Sequence, residues 1–396
     1  MTTRPTGAGA VTATRPHPTR PARPDRPVGR RPSGRRSGLF LGITVVVVVL
    51  NLVGLVMVVS ASSVVGLAQF GDSWYFAVRQ GVWLLGGLVV LAVCLRVDYH
   101  TWRRWGRPLL AASVVLLGLV LVPGVGVSVN GATRWLGAGP LQVQPSEFAK
   151  LGLLLFCADL LARRIDRVHE LRLSLVPVAV VTAVVCLLVL AQPNLGTTLV
   201  IAAIVFSVLF AAGVPLLPLS GLAAGGTLVS LGLALGEGYR RARLTGFVDP
   251  WRDPLGAGYQ TIQSLVGIAQ GGIAGVGLGA SRAKWGFLPF AHTDFVFAIL
   301  AEETGVVGAA LVLGLFVALA WLGTLTALRA PDVFGALLAA GITTWLTVQA
   351  FVNVGAVIGI LPITGVPLPF VSFGGSALLA TMGAVGILAN IARHAR

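Results

Sequence analysis

The sequence predicts an all-α polytopic membrane protein with about ten transmembrane helices, and three observations carry that prediction. The chain is 56% hydrophobic and only 11% charged, whereas a soluble domain carries roughly 25% charged residues. Apolar runs of about 20 residues recur along it, each long enough to cross a hydrocarbon core of about 30 Å. The runs are continuously apolar, without the alternation over about 10 residues that marks barrel strands. Lipid-exposed backbone must satisfy its own hydrogen bonds, so these spans read as helices.

Taken in order, the expected spans are 38–60, 75–95, 109–126, 145–162, 174–191, 195–212, 216–236, 296–322, 333–357 and 373–393. Residues 1–37 form a separate basic tail with nine arginines against one acid, Asp25. The tail is rich in Arg, Pro, Thr and Gly, has no apolar periodicity, and is expected to be disordered. Its charge dominates the net +15. It reads as a positive-inside anchor that also touches anionic lipid headgroups, not as a nucleic-acid surface. The first apolar run is too long for a signal-peptide core and follows a long polar tail, so no cleaved leader is expected.

The division is therefore a tail, 1–37, and a ten-span domain, 38–396. Further basic stretches lie at 96–108 (Arg96, Arg103, Arg104, Arg107), at 163–172 (Arg163, Arg164, Arg167, Arg172) and at the C-terminus. With ten spans and a cytoplasmic N-terminus, all of them fall on the cytoplasmic face of the cell membrane. The opposite face then holds 127–146, the turn 192–194, the long loop 237–295 and 358–372. Long loops of this kind usually carry function, so the activity is expected to face outward.

Several chemistries are excluded. The chain has no phosphate-binding GxxxxGK[ST] loop, no dinucleotide fingerprint, no HExxH, no zinc-spaced Cys/His set and no GxSxG elbow. Cys94, Cys157 and Cys186 lie in apolar runs and read as small buried hydrophobes. The Gly275-x-Gly277-x-Gly279 run lacks a βαβ setting and reads as tight, bendable backbone. The apolar, Gly-rich stretch 265–280 is too short to span and reads as re-entrant or interfacial.

Acidic residues are scarce, 14 in the chain, so Asp294 stands out at the mouth of an apolar span. An ionisable group in such a place is a functional candidate by default. Upstream, Arg240, Arg241 and Arg243 break the charge rule on the outer face. Arginine grips phosphate with a planar fork and never deprotonates, so the cluster suits a diphosphate or another anionic headgroup; anchoring to lipid headgroups explains it as well. Lys284, His292, Gln260 and Arg134 are further candidate substrate contacts. Asp294 and Glu302, eight residues apart, would share a helix face about 12 Å apart along the axis. Glu302 or Glu303 is expected to pair with a buried Lys or Arg. Ser146 reads as the N-cap of a helix starting near Glu147, and Glu147 with Lys150 as a structural i,i+3 pair.

Five motifs then resemble one family in order: Asn130-Gly131-Ala132-x-Arg134-Trp135; Gln144-Pro145-Ser146-Glu147-Phe148-Ala149-Lys150; Gln192-Pro193-x-Leu195-Gly196-Thr197; Leu288-Pro289-x-Ala291-His292-Thr293-Asp294-Phe295; and Leu361-Pro362-x-Thr364-Gly365, continuing through Leu368-Pro369-Phe370-x-Ser372-x-Gly374-Gly375-Ser376. Together they resemble the SEDS proteins, the FtsW/RodA/SpoVE family, with His292-Thr293-Asp294-Phe295 closer to the FtsW branch. The resemblance implies a peptidoglycan glycosyltransferase that polymerises lipid II at the outer face of the cytoplasmic membrane. It also implies a class B penicillin-binding protein as partner, within the divisome or elongasome. Asp294 maps to the family's essential acid and Arg243 to its arginine; Lys284 falls at a commonly basic position. Phe290 and Asn194 stand where the family often has carboxylates, which weakens any carboxylate pair or metal site and leaves no metal ligand to assign; a divalent cation stays open as a cofactor. An inverting displacement with Asp294 as general base follows, such bases typically contributing about 10²–10⁴-fold. The rival readings are a lipid II flippase and a non-catalytic activator of the transpeptidase.

Overall fold

The computed structural model describes residues 1–2, 38–129, 132–139, 141–236 and 246–395; the basic tail, Asn130 and the arginines at 240–243 lie outside them. All ten apolar runs are helical. The helices are α1 (Gly38–Phe70), α2 (Tyr75–Arg96), α3 (Tyr99–Val120), α4 (Pro145–Arg163), α5 (Leu175–Leu190), α6 (Leu195–Ala211), α7 (Leu216–Gly236), α8 (Tyr259–Gly271), α9 (Val296–Leu328), α10 (Val333–Val357) and α11 (Gly375–His394). Among the described residues, five of them (α1, α2, α9, α10 and α11) are long and apolar enough to cross a membrane by length and composition alone, and α5, α6 and most of α7 are shorter apolar helices. Of the remaining three, α3 and α4 carry charge at their ends or inside, and α8 is only 13 residues long.

Helix α10 is the hub. It packs against α9, α6, α4 and α11, while α11 lies along α2 and α1 lies along α9. Most of α10 and α11 is buried, whereas α1, α2 and α9 turn large Val and Leu side chains outward, as lipid-facing helices do.

Four expectations are corrected. Helix α3 starts ten residues earlier than the apolar run suggests, because the Asp98 carboxylate accepts the His100 N–H at 2.8 Å and caps it. The basic stretch 96–108 is therefore largely helical. Helix α4 starts at Pro145, not after a Ser146 cap. Proline suits a first helical position because its ring sets φ and the missing N–H would be unpaired there anyway. Segment 127–146 is not merely loop: β1 (Val127–Val129), β2 (Ala132–Ala138) and β3 (Leu141–Val143) form an antiparallel sheet in the order β1-β2-β3. Finally, Asp294 and Glu302 do not share a helix face, since α9 begins at Val296.

The basic helix ends gather at one end of the bundle. Arg103 on α3 pairs with Asp159 near the end of α4, which also takes Arg163 at 2.8 Å. Asn390 on α11 donates to Leu95 and Val97 carbonyls at the end of α2, at 2.9 and 3.0 Å.

Helix α9 is broken at Gly305, whose φ of 68° and ψ of −168° are not helical. The break frees backbone groups that a buried chain must pair, and the glycine run supplies the partners. Val276 and Gly277 N–H groups donate to the Glu302 and Glu303 carbonyls at 3.0 and 3.1 Å, and Val306 and Val307 donate to the Gly272 and Ile273 carbonyls at 3.0 and 3.3 Å. Gly275, Gly277 and Gly279 all have positive φ, the conformation glycine adopts without penalty.

Candidate functional site

Asp294 closes a turn, 290–294, immediately before α9. The turn is built on the Phe290 carbonyl, which accepts the Thr293 and Phe295 N–H groups at 3.1 and 3.3 Å. Phe290 itself sits at φ 61°, a conformation that costs a non-glycine residue about 1–3 kcal/mol and persists only where its surroundings impose it.

Those surroundings come from α10 and from the segment leading into α11. The Asn353 amide donates to the Asp294 carbonyl and to the Val366 carbonyl, both at 2.8 Å. The Ser372 hydroxyl donates to the Thr293 carbonyl at 2.6 Å, and the Phe373 N–H donates to the His292 carbonyl at 3.0 Å. Three successive carbonyls, 292 to 294, are thus held from α10 and the facing segment.

The other motifs converge on the same place. Arg134, on β2, donates through Nε to the Gln192 carbonyl at 3.1 Å and through Nη2 to the Pro193 carbonyl. A Cβ built on Gly365 would lie 3.7 Å from Arg134 Nη1 and 3.7 Å from Asp294 Oδ2, so both side chains face that one glycine. Gly196 approaches so closely that a Cβ there would come within 2.4 Å of Val366 Cγ2 and 2.7 Å of Thr364 Cβ. Asn194 caps α6, accepting the Thr197 N–H at 3.3 Å. Asp and Asn serve equally as N-caps, which gives the Asn194 departure a structural reason.

A small cavity, about 10 Å³, opens beside the carboxylate and is lined by Asp294, Phe295, Asn353, Ile363, Thr364 and Gly365 among others.

Below this layer lies a buried polar chain. Lys150 Nζ sits 2.8 Å from Glu147 Oε1, donates to Gln349 Oε1 at 2.8 Å, and lies 4.8 Å from the Trp345 ring centroid. Gln349 Nε2 donates to the Pro367 carbonyl at 3.0 Å. The pair thus supports the same 361–372 segment from within the bundle.

The remaining sequence candidates fall in different places. Lys284 is only 5% exposed and is held by Glu303 at 3.4 Å, the Gly279 carbonyl at 2.6 Å and Ser60 Oγ at 3.2 Å. It is bound into the loop that braces the break in α9. The Glu302 carboxylate accepts Ser281 Oγ at 2.5 Å and the Arg282 N–H at 2.8 Å in the same loop. His292 packs against Phe76 and Phe373, with ring centroids at 4.6 and 5.9 Å. Burial pushes its imidazole down to about 4, so it is neutral at physiological pH and is no cationic phosphate contact. Gln260 lies half-buried in the first turn of α8. Arg243 lies outside the described residues. Among the described residues no group of three or more His, Cys, Asp or Glu could hold a metal ion.

Sequence reasoning missed Asn353, Gln349, Thr364 and Ser372 as site residues. The signal for the first two was available: amides four residues apart share a helix face, and buried polar groups in an apolar helix are costly unless bonded.

Known proteins are similar to this chain along most of its length. A family model described as "Cell cycle protein", FTSW_RODA_SPOVE, matches residues 41–396. Stage V sporulation protein E of Bacillus subtilis is 41% identical over 354 residues, covering 89% of this chain and 97% of that protein. A protein of Mycobacterium tuberculosis named probable peptidoglycan glycosyltransferase FtsW is 42% identical over 389 residues, covering 95% of this chain and 73% of that protein. A solved chain from a peptidoglycan synthase complex that coordinates polymerization and crosslinking is 37% identical, with a TM-score of 0.72, covering 89% of this chain and 97% of that one.

Proposed function

Since the chain belongs to the FtsW/RodA/SpoVE family, we propose that it is a peptidoglycan glycosyltransferase that polymerises lipid II at the outer face of the cytoplasmic membrane. The observation that carries the reading is Asp294: its backbone is held by Asn353 while its neighbours' carbonyls are held by Ser372 and Phe373, and it lines a small cavity together with residues of the 361–376 motif. A general base must be held within hydrogen-bond reach of the proton it takes, and this turn is built to hold one.

In the proposed step the acceptor sugar hydroxyl attacks the anomeric carbon of the lipid-linked donor. The bond from that carbon to the diphosphate breaks, the diphosphate leaves with the electron pair, and the hydroxyl proton passes to Asp294. One displacement inverts the anomeric centre and needs no enzyme nucleophile. Arg243 contacts the diphosphate. Arg134, bound to two carbonyls of the 192–194 turn, orders the rim of the site. The basic helix ends support a cytoplasmic location for both termini, and in this reading a class B penicillin-binding protein cross-links the product.

The test is polymerisation of labelled lipid II by the purified protein, with and without its partner. Glycan strands that disappear in a folded Asp294→Asn variant support the reading. Polymer made at the parental rate by that variant overturns the role of Asp294. Headgroup translocation without polymer overturns the enzyme in favour of a flippase.

A further inference from the structure

Two buried polar atoms beside Asp294, Asn353 Oδ1 and Thr364 Oγ1, have no hydrogen-bond partner among the described residues. Both residues line the same small cavity as Asp294. The orientation of the Asn353 amide is fixed by chemistry, because its nitrogen donates to two carbonyls at 2.8 Å and only the NH₂ end can donate. Its oxygen is therefore the end left over, on a residue that is 2% exposed.

Buried polar groups in folded proteins are paired with few exceptions, and each exception calls for an explanation. Two on residues that line one cavity, next to the proposed base, point to a ligand. An amide oxygen only accepts and a threonine hydroxyl both donates and accepts, so the matching group is an O–H: it donates to Asn353 and accepts from Thr364. The cavity wall also includes Phe295, Ala356, Val357, Ile363 and Val366, whose side chains offer nothing to a phosphate. At about 10 Å³ the space admits one oxygen-sized group, not a sugar ring.

We propose that Asn353 and Thr364 form a specificity subsite that receives a non-reacting hydroxyl of the acceptor sugar, next to the hydroxyl that faces Asp294. The inference rests on the polymerase reading for the identity of the sugar. A sugar ring carries hydroxyls on neighbouring carbons, so seating one in this pocket fixes which of the others meets the base. A site that pairs buried polar groups with a substrate hydroxyl rejects an analogue lacking it, because those groups are then left unpaired.

The test is a binding cycle on the wild-type protein and Thr364→Val, a nearly isosteric change that removes only the hydroxyl. The probe is a lipid-free glycan fragment ending in the acceptor sugar, together with a set of fragments each lacking one non-reacting hydroxyl. Having no diphosphate, these cannot react, so the readout does not depend on turnover. Thr364→Val is expected to weaken the natural fragment about 3- to 10-fold, the value of one net hydrogen bond. For one deoxy fragment the two proteins should bind within about twofold of each other. Thr364→Ser, which keeps the hydroxyl, should retain wild-type binding. An equal loss on every fragment, as a bound water or a purely structural role would give, overturns the proposal, and so does no loss on the natural fragment. Should the cycle show coupling while lipid II is not polymerised, the subsite stands and the polymerase reading falls.

Discussion

Replacing Lys150 by methionine should strand a carboxylate inside the bundle. Lys150 is 1% exposed and Glu147 2%, and the ammonium is 2.8 Å from Glu147 Oε1. The second carboxylate oxygen, Glu147 Oε2, has no partner among the described residues, so no other group there takes over when Lys150 is lost. Breaking a buried pair from one side costs about 3–5 kcal/mol, whereas replacing the whole pair by neutral groups is often close to neutral. Glu147→Gln added to Lys150→Met should therefore restore at least about 2 kcal/mol, far above the roughly 0.3–0.5 kcal/mol deviation of independent sites. Cys157 lies on α4 with the pair and is fully buried. Its labelling by a thiol reagent during a thermal ramp, with Cys94 and Cys186 replaced by alanine, follows the opening of that helix. The reasoning is refuted if Lys150→Met opens at the parental temperature, or if the double variant is no better than the worse single one.

Other consequences follow from the same geometry. A buried His292 with its imidazole pushed down to about 4, against about 6.5 when unfolded, stabilises the fold fully above about pH 6.5. That contribution, at most about 3 kcal/mol, fades as pH falls from about 6.5 to about 4; His292→Phe should flatten this acid limb in a pH series of thermal midpoints. Gly275→Ala puts a side chain at φ +82° with its Cβ 2.2 Å from the Glu303 carbonyl oxygen. It should lose about 2–4 kcal/mol from backbone strain and overpacking together, read by thermal unfolding. Asn194→Asp should leave stability nearly unchanged while Asn194→Ala loses about 1 kcal/mol, because the position is an N-cap; equal losses in both would refute the capping role.

Hydropathy made the helices legible, since a 20-residue apolar run in lipid has only one way to pair its backbone. Their ends were less so. Arg103, Arg104 and Arg107 look like loop in a hydropathy profile, yet the Asp98 cap carries α3 through them. The strands of 127–143 are too short to announce themselves by alternation. Asp294 stood out in the sequence because a lone carboxylate at the mouth of an apolar run is costly. The surroundings of Lys284 were not legible because sequence says nothing of burial: a lysine that could meet a phosphate at a surface here lies 3.4 Å from Glu303 inside the protein. Asn353 was overlooked because its partners lie 59 and 13 residues away, a distance that local spacing cannot reach.

The way Asp294 is held bears on what it can do. Misplacing a catalytic group by about 1 Å can cost roughly 100-fold in rate, so the role proposed for Asp294 requires a stiff loop. Here the stiffness comes from both sides of the long loop before α9. On one side the glycine run completes the backbone hydrogen bonds of broken α9, and Lys284 and Ser281 tie it to Glu303 and Glu302. On the other side the carbonyls of 292 to 294 are taken by Phe373, Ser372 and Asn353. These bonds grip the backbone and thereby set the direction in which the Asp294 side chain leaves it. The break at Gly305 thus does more than bend a helix: it lets the loop before Asp294 pack into α9 itself, so that the carboxylate stands on a turn braced at both ends.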